Sequence, residues 1–233
     1  MKFDIQLAEN YSPREVVFRV YRWHPSCISL GANQKYEEIN IDKASSDNID
    51  VVKRPTGGRA ILHSEELTYS VIYPIDYDTS AHNLYYQINL ALKTGLSIYD
   101  HRLKQIELEN SQPDFKNFYQ QDKSSVCFAV SVKSEINFEN KKLVGSAQRK
   151  FGKVILQHGS ILCGDYHLKI TDYLNLDDER RSYVKNDIKN STIDLRSILK
   201  KGIDYLKLTE SLKRGFEKHF KIEFQSLQES IIL

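Results

Sequence analysis

The chain has 233 residues, with 33 Lys and Arg against 31 Asp and Glu, for a net charge of +2. That balance makes no electrostatic case for a dedicated nucleic-acid binder, and 40% hydrophobic with 27% charged residues excludes wholesale disorder. Cys27, Cys127 and Cys163 are too few and too widely spaced for a disulfide framework or a Cys-x-x-Cys metal site.

Asp4, Gln6 and Glu9 interrupt any apolar run at the start, which argues against a signal peptide. No stretch approaches the roughly 20 apolar residues of a membrane span. The expectation is a cytoplasmic protein that engages no membrane. The β-branched and aromatic run Val16–Tyr21 predicts a strand, as do Cys27–Gly31 and Ile49–Val52. A turn-like break at residues 54–58 leads into Ala60–His63, and Leu67–Tyr73 alternates as another strand. From Ser80 to Asp100 the period changes: Leu84, Ile88, Ala91, Leu92 and Tyr99 recur at helical spacing, with Ser80 as N-cap.

Strand character returns at Val126–Val132, Ile136–Phe138, Leu143-Val144, Val154–Leu156 and Ser160–Leu162. Glu139-Asn140-Lys141 suits a hairpin tip, because Asn tolerates the left-handed backbone of a tight turn. Leu168–Tyr173 and Asp194–Leu199 read as helical, and Leu208, Leu212, Phe216 and Phe220 share one helix face. Ile222–Phe224 closes the chain as a further strand. A β-rich middle flanked by helices is α+β, not the βαβ alternation of a doubly wound fold.

Four segments carry candidate chemistry. In Arg54-Pro55-Thr56-Gly57-Gly58-Arg59-Ala60-Ile61-Leu62-His63, paired glycines let backbone approach a ligand and flanking cations could hold an anion. By itself such a pair is more often just the mark of a hairpin. In Lys142-Leu143-Val144-Gly145-Ser146-Ala147-Gln148, small residues leave room beside the backbone, and Lys142 points either into a site or to solvent at a strand edge. A nucleotide P-loop fits poorly, since Gly145 and Gly152 are wrongly spaced and Val154 follows Lys153. Gln157-His158-Gly159-Ser160 offers a histidine that with His63 could suggest a metal pair, but no acidic or cysteine partner stands at metal spacing. Cys127 is either a small buried hydrophobe or, beside an ammonium such as Lys142, a nucleophile.

Taken in order, these motifs resemble the biotin/lipoate protein ligase catalytic domain family, in its lipoate branch. The resemblance implies one catalytic domain over residues 1–233, abbreviated at both ends, with a mixed or antiparallel central sheet flanked by helices. Cys127-Phe128 ahead of the Lys142 motif is similar to the octanoyltransferase subgroup of Gram-positive type. That subgroup implies transfer of octanoate from acyl carrier protein, through a cysteine thioester, to a lysine of a lipoyl domain. The acceptor would be a 2-oxoacid dehydrogenase E2 subunit or the glycine cleavage H protein. The implied catalytic residues are Cys127 and Lys142. The implied substrate-binding residues are Arg54, Gly57, Gly58, His63, Gly145, Ser146, Ala147, His158 and Gly159. The transferase reading needs no cofactor and no metal. The alternatives are an ATP- and Mg-dependent lipoate-protein ligase and a non-catalytic lipoyl-domain or acyl-binding partner; biotin ligase is weaker, because its glycine-arginine motif is missing.

Overall fold

The computed structural model describes residues 1–10, 15–75, 80–109 and 135–226. The strand expected over residues 126–132, and Cys127 within it, lie outside them.

Two sheets organise the fold. The larger is antiparallel, in the order β1 (Val17–Tyr21), β5 (Glu66–Pro74), β9 (Val154–Leu162), β8 (Lys141–Phe151), β7 (Ile136–Phe138) and β6 (Glu107–Leu108). In the smaller, β2 (Cys27–Leu30) pairs in parallel with β3 (Asp50–Lys53) and antiparallel with β4 (Ile61–His63).

Strand alternation gives the larger sheet two unlike faces. Leu67, Tyr69 and Val71 of β5 and Ile155 and Ile161 of β9 turn to the main core. That core is closed by α3 (Ala81–Tyr99) and α6 (Tyr205–Phe220), which bury the apolar stripe Leu208, Leu212 and Phe216 that the spacing predicts. On the opposite face, α1 (Lys2–Asn10) packs Leu7 and Ala8 on Val17, Ile72, Val154 and Leu156. Farther along that face, Leu162 joins the small sheet's core, which a 3-10 segment (Tyr166–Tyr173) and α4 (Asp178–Ser191) cover. Between those two apolar patches the buried positions are polar: Glu66, Thr68 and Ser70 on β5, His158 and Ser160 on β9.

Three departures from the sequence expectations bear on how the sheets and helices pack. The short strands expected at Leu143-Val144, Val154–Leu156 and Ser160–Leu162 belong to two long strands, β8 and β9, joined at Gly152-Lys153. The polar run Gln157-His158 had broken the apolar signal, although both residues are buried in the ladder. Helix α4 escaped detection because it buries only Val184 and Ile188. Ile222–Phe224 is not a strand: Phe224 folds back over Phe18, ring centroids 5.6 Å apart, and its N–H donates to Glu217 Oε1 at 3.0 Å. The tip at Glu139 and Asn140 has φ of 49° and 61°, the left-handed geometry that Asn favours. Ser80 caps α3 by accepting from Asn83 N. Among the described residues no helix is long and apolar enough to cross a membrane.

Helices α3 and α6 cross at backbone contact. A Cβ on Gly215 would lie 2.3 Å from Gly95 N and 2.7 Å from Ala91 O. Alanine is the better helix former by roughly 1 kcal/mol, yet here the clash outweighs that gain. Gly215→Ala is expected to destabilise the protein by about 1–3 kcal/mol, read as a lowered Tm in thermal unfolding; an unchanged or raised Tm would show that the crossing can open freely.

Candidate active site

The polar gap in the sheet face borders a narrow cavity of about 30 Å³ between the two sheets. One wall is the β8–β9 ladder, where Gly145, Ser146 and Ala147 stand opposite Ser160, Gly159 and His158. Arg54, Ser29, Ile61 and His63 come from the small sheet and its following turn, and Tyr21, Trp23 and Thr68 from β1 and β5 and their surroundings. Gly159 keeps the wall thin: a Cβ there would lie 2.3 Å from Gly145 O and 2.7 Å from the Tyr69 ring.

Most polar groups around this cavity are bonded to one another, as burial demands; the exception is the buried Glu66 Oε2, which has no hydrogen-bond partner among the described residues. Arg54 is 3% exposed and donates to Ser29 O at 2.9 Å, Gly57 O at 2.9 Å and Arg59 O at 2.7 Å. Its guanidinium therefore holds the Arg54–Arg59 turn to β2. Ser29 Oγ is 2.7 Å from His63 Nε2, and His63 Nδ1 is 2.8 Å from Glu66 Oε1. Thr68 Oγ1 and Ser160 Oγ also donate to Glu66 Oε1, at 2.6 Å and 2.9 Å. Trp23 stacks on His63 at 4.7 Å and donates Nε1–H to Thr68 Oγ1 at 2.9 Å. On the far strands, Tyr69 OH meets Ser146 Oγ at 2.6 Å, and Gln157 Nε2 donates to Tyr69 OH at 3.0 Å.

His158 Nε2 lies 2.6 Å from Thr56 Oγ1. Burial, reinforced by the Arg54 charge, holds its pKa down to about 3. Burial first, then the Asp4 carboxylate, pushes the Tyr21 phenol well above its usual range. Burial also pushes the Cys27 and Cys163 thiols up to about 12, so both are protonated at neutral pH.

Seven expected site residues thus gather around one cavity: Arg54, His63, Gly145, Ser146, Ala147, His158 and Gly159. Gly57 and Gly58 are exposed and do not line it; Gly58 has φ of 94°, and Gly57 lends its carbonyl to Arg54. Lys142 does not line it either. Rather than lying at a solvated strand edge, Lys142 is 1% exposed and paired with Glu135 at 2.9 Å. Glu135 also accepts from Ser146 N at 3.4 Å, which ties this pair to the cavity wall. Ser29, Glu66, Thr68 and Ser160 were missed as site residues. Ser29 sits inside a segment read only as a strand, Ser160 closes the His158 motif without being singled out, and the His63-x-x-Glu66-x-Thr68 spacing was the available signal for the other two. Among the described residues no group of three or more His, Cys, Asp and Glu side chains gathers as metal ligands would.

Two predictions follow from these charges. Between about pH 6.5 and pH 3, unfolded His158 binds a proton that the native residue refuses, so stability falls as pH falls, by as much as about 1.4 kcal/mol per unit. His158→Asn should flatten that part of the pH dependence in urea melts; an identical slope would place the acid sensitivity elsewhere. Removing one partner of the buried Lys142–Glu135 pair should cost about 3–5 kcal/mol. The Lys142→Met/Glu135→Leu double variant should then lose less than the sum of the single losses, and strict additivity would argue against coupling.

Residues 1–217 match the lipoyl protein ligase A/B catalytic domain family. The octanoyltransferase LipM of Clostridioides difficile is 35% identical over 214 residues, 88% of this chain and 76% of that protein. The octanoyltransferase LipM of Bacillus subtilis is 32% identical over 235 residues, 97% of this chain and 83% of that protein. Among solved structures, the bi-partite lipoate protein ligase of Thermoplasma acidophilum superposes with a TM-score of 0.73 at 18% identity, covering 97% of this chain and 79% of that one. A lipoate-protein ligase A bound with ATP gives a TM-score of 0.72 at 19% identity, covering 97% of this chain and 81% of that one. The two structures share the fold, and the family match together with the sequence relatives places the chain in the lipoyl protein ligase A/B catalytic domain family.

Proposed function

We propose that this chain is an octanoyltransferase of lipoate assembly, which takes octanoate from acyl carrier protein as a Cys127 thioester and passes it to a lysine of a lipoyl domain. The observation that carries the reading is the set of octanoyltransferase relatives at 31–35% identity over most of the chain. The cavity supports it, because its walls of glycine, alanine, isoleucine and aromatic carbon leave a narrow slot for an aliphatic chain.

The chemistry divides into two acyl transfers. Cys127 attacks the donor carbonyl as a thiolate, expelling the carrier's thiol, and the acceptor lysine amine then attacks the acyl-enzyme. The thioester supplies the activation, so no nucleotide is consumed. Burial keeps Cys27 and Cys163 protonated, which leaves Cys127 as the cysteine suited to the role. Lys142 favours the thiolate by charge and answers the developing oxyanion. Glu135 holds its ammonium in place at 2.9 Å and tempers that charge. Around the slot, Arg54 anchors the Gly57-Gly58 turn, and His63 and His158 complete the polar rim. Exposed Arg149, Lys150 and Lys153, at the β8–β9 turn, suit an acidic carrier protein, and Arg149 reaches Pro55 O of the first motif at 2.6 Å.

Incubation of the full chain with octanoyl-acyl carrier protein and no ATP should give one octanoyl adduct by intact-protein mass spectrometry. Cys127→Ala should abolish it, and adding a lipoyl domain should discharge it to the acceptor lysine. An adduct or transfer that requires ATP, or that survives Cys127→Ala, overturns the reading in favour of a ligase. Carrier binding without transfer would point to a non-catalytic partner.

A further inference from the structure

A second arrangement of reactive groups borders the cavity, and the Cys127 thioester chemistry above gives it no part in bond making or proton transfer. Ser29 Oγ, the His63 ring and the Glu66 carboxyl lie in sequence at 2.7 Å and 2.8 Å, with Nε2 toward the serine and Nδ1 toward the carboxyl. A hydroxyl, an imidazole and a carboxylate linked in that order are the elements that turn serine into a nucleophile.

The surroundings fix each member. Ser29 and His63 sit on adjacent antiparallel strands, where Ser29 is opposite Ile61 and Cys27 is opposite His63. Trp23 covers the His63 ring at an interplanar angle of 19°. Glu66 Oε1 collects the hydroxyls of Thr68 and Ser160 as well as His63 Nδ1. That network assigns the Nδ1 proton to Glu66 and leaves Nε2 to accept from Ser29. Arg54 Nη1 lies 3.3 Å from Ser29 Oγ and brings a fixed cation to the place where negative charge would develop. A hydrogen-bonded chain that served only to fill a core would not need to open onto a cavity, yet Ser29, His63 and Arg54 all line it.

We propose that Ser29, activated by His63 and oriented through Glu66, is a second acyl acceptor, and that the chain hydrolyses medium-chain acyl esters and thioesters independently of Cys127. The proposal rests on the preceding reading only in giving the cavity to an acyl chain. Ser29 Oγ forms a bond to the acyl carbon while its proton passes to His63 Nε2. The bond to the thiol or alcohol breaks, and the leaving group takes that proton. Water then attacks the acyl-serine ester, gives its proton to Nε2, and releases the carboxylic acid as Oγ regains a proton. The net change is ester or thioester plus water to acid plus alcohol or thiol, with no oxidant or reductant.

The test uses the full chain carrying Cys127→Ala, with p-nitrophenyl octanoate as substrate, so that loss of the cysteine chemistry cannot be mistaken for loss of this one. Hydrolysis is expected in that background, and adding Ser29→Ala should lower it by about 100-fold or more. A fluorophosphonate probe should label the otherwise native chain on Ser29, as read by peptide mapping, with octanoate slowing the labelling. Glu66 is a positioning residue: Glu66→Gln should lower kcat while leaving KM unchanged. Equal rates with and without Ser29, or a folded chain that takes no label at Ser29, would overturn the proposal and leave the three residues a structural link. Octanoyl transfer from acyl carrier protein through Cys127 would stand or fall separately.

Discussion

The constraint on which the rest of this structure depends is the burial of a polar seam along one sheet face. Glu66, Thr68, Ser70, His158 and Ser160 are each at most 5% exposed, flanked on both sides by aliphatic patches. A buried polar group without a partner costs about 1–3 kcal/mol, so such a seam survives only if its members serve one another. They do so through Glu66 at the small-sheet end and Asp4 at the α1 end. Asp4 pairs with Arg19 and accepts from Ser70 Oγ at 2.7 Å. The cavity lies between these two anchors.

This arrangement explains why the two sheets meet where they do. Arg54 holds the turn that follows β3 to β2, and Thr56 in that turn reaches His158 on β9. His63 at the end of β4 reaches Glu66 at the start of β5. Polar contacts therefore hold the small sheet against the large one across the same gap that forms the slot, and the side chains that shape the site also join the two sheets. Lys142 and Glu135 perform a related task one strand away. Their ion pair fixes the start of β8, and Glu135 reaches the backbone of Ser146 at the cavity wall.

Much of the fold was legible in the sequence because most elements follow simple apolar periods. The α3 stripe, the α6 stripe and the alternation of β5 read directly, as did the left-handed tip at Asn140. The reading failed where burial and polarity coincide. Gln157 and His158 look like a break in a strand, yet they are internal residues of β9 whose polar atoms find partners on Tyr69 of β5 and Thr56 of the turn after β3. Helix α4 shows the opposite failure, since only Val184 and Ile188 mark its buried side. Ile222–Phe224 had strand composition, but its aromatic ring found a place on Phe18 and no ladder formed.

The sequence by itself determined the α+β class, the family, and the ordered motifs around Arg54, Lys142 and His158, because short spacings of glycine, histidine and basic residues survive as local patterns. Only the tertiary structure decided which of those residues share a cavity. Gly57 and Gly58 belong to a turn that Arg54 anchors, and Lys142 is a buried partner of Glu135, while Ser29 and Glu66 enter the site from outside those motifs. The physical reason is that hydrogen-bond complementarity between buried groups far apart in the chain, such as Ser29 with His63 and Thr56 with His158, leaves no periodicity in the sequence and exists only when the sheets are packed.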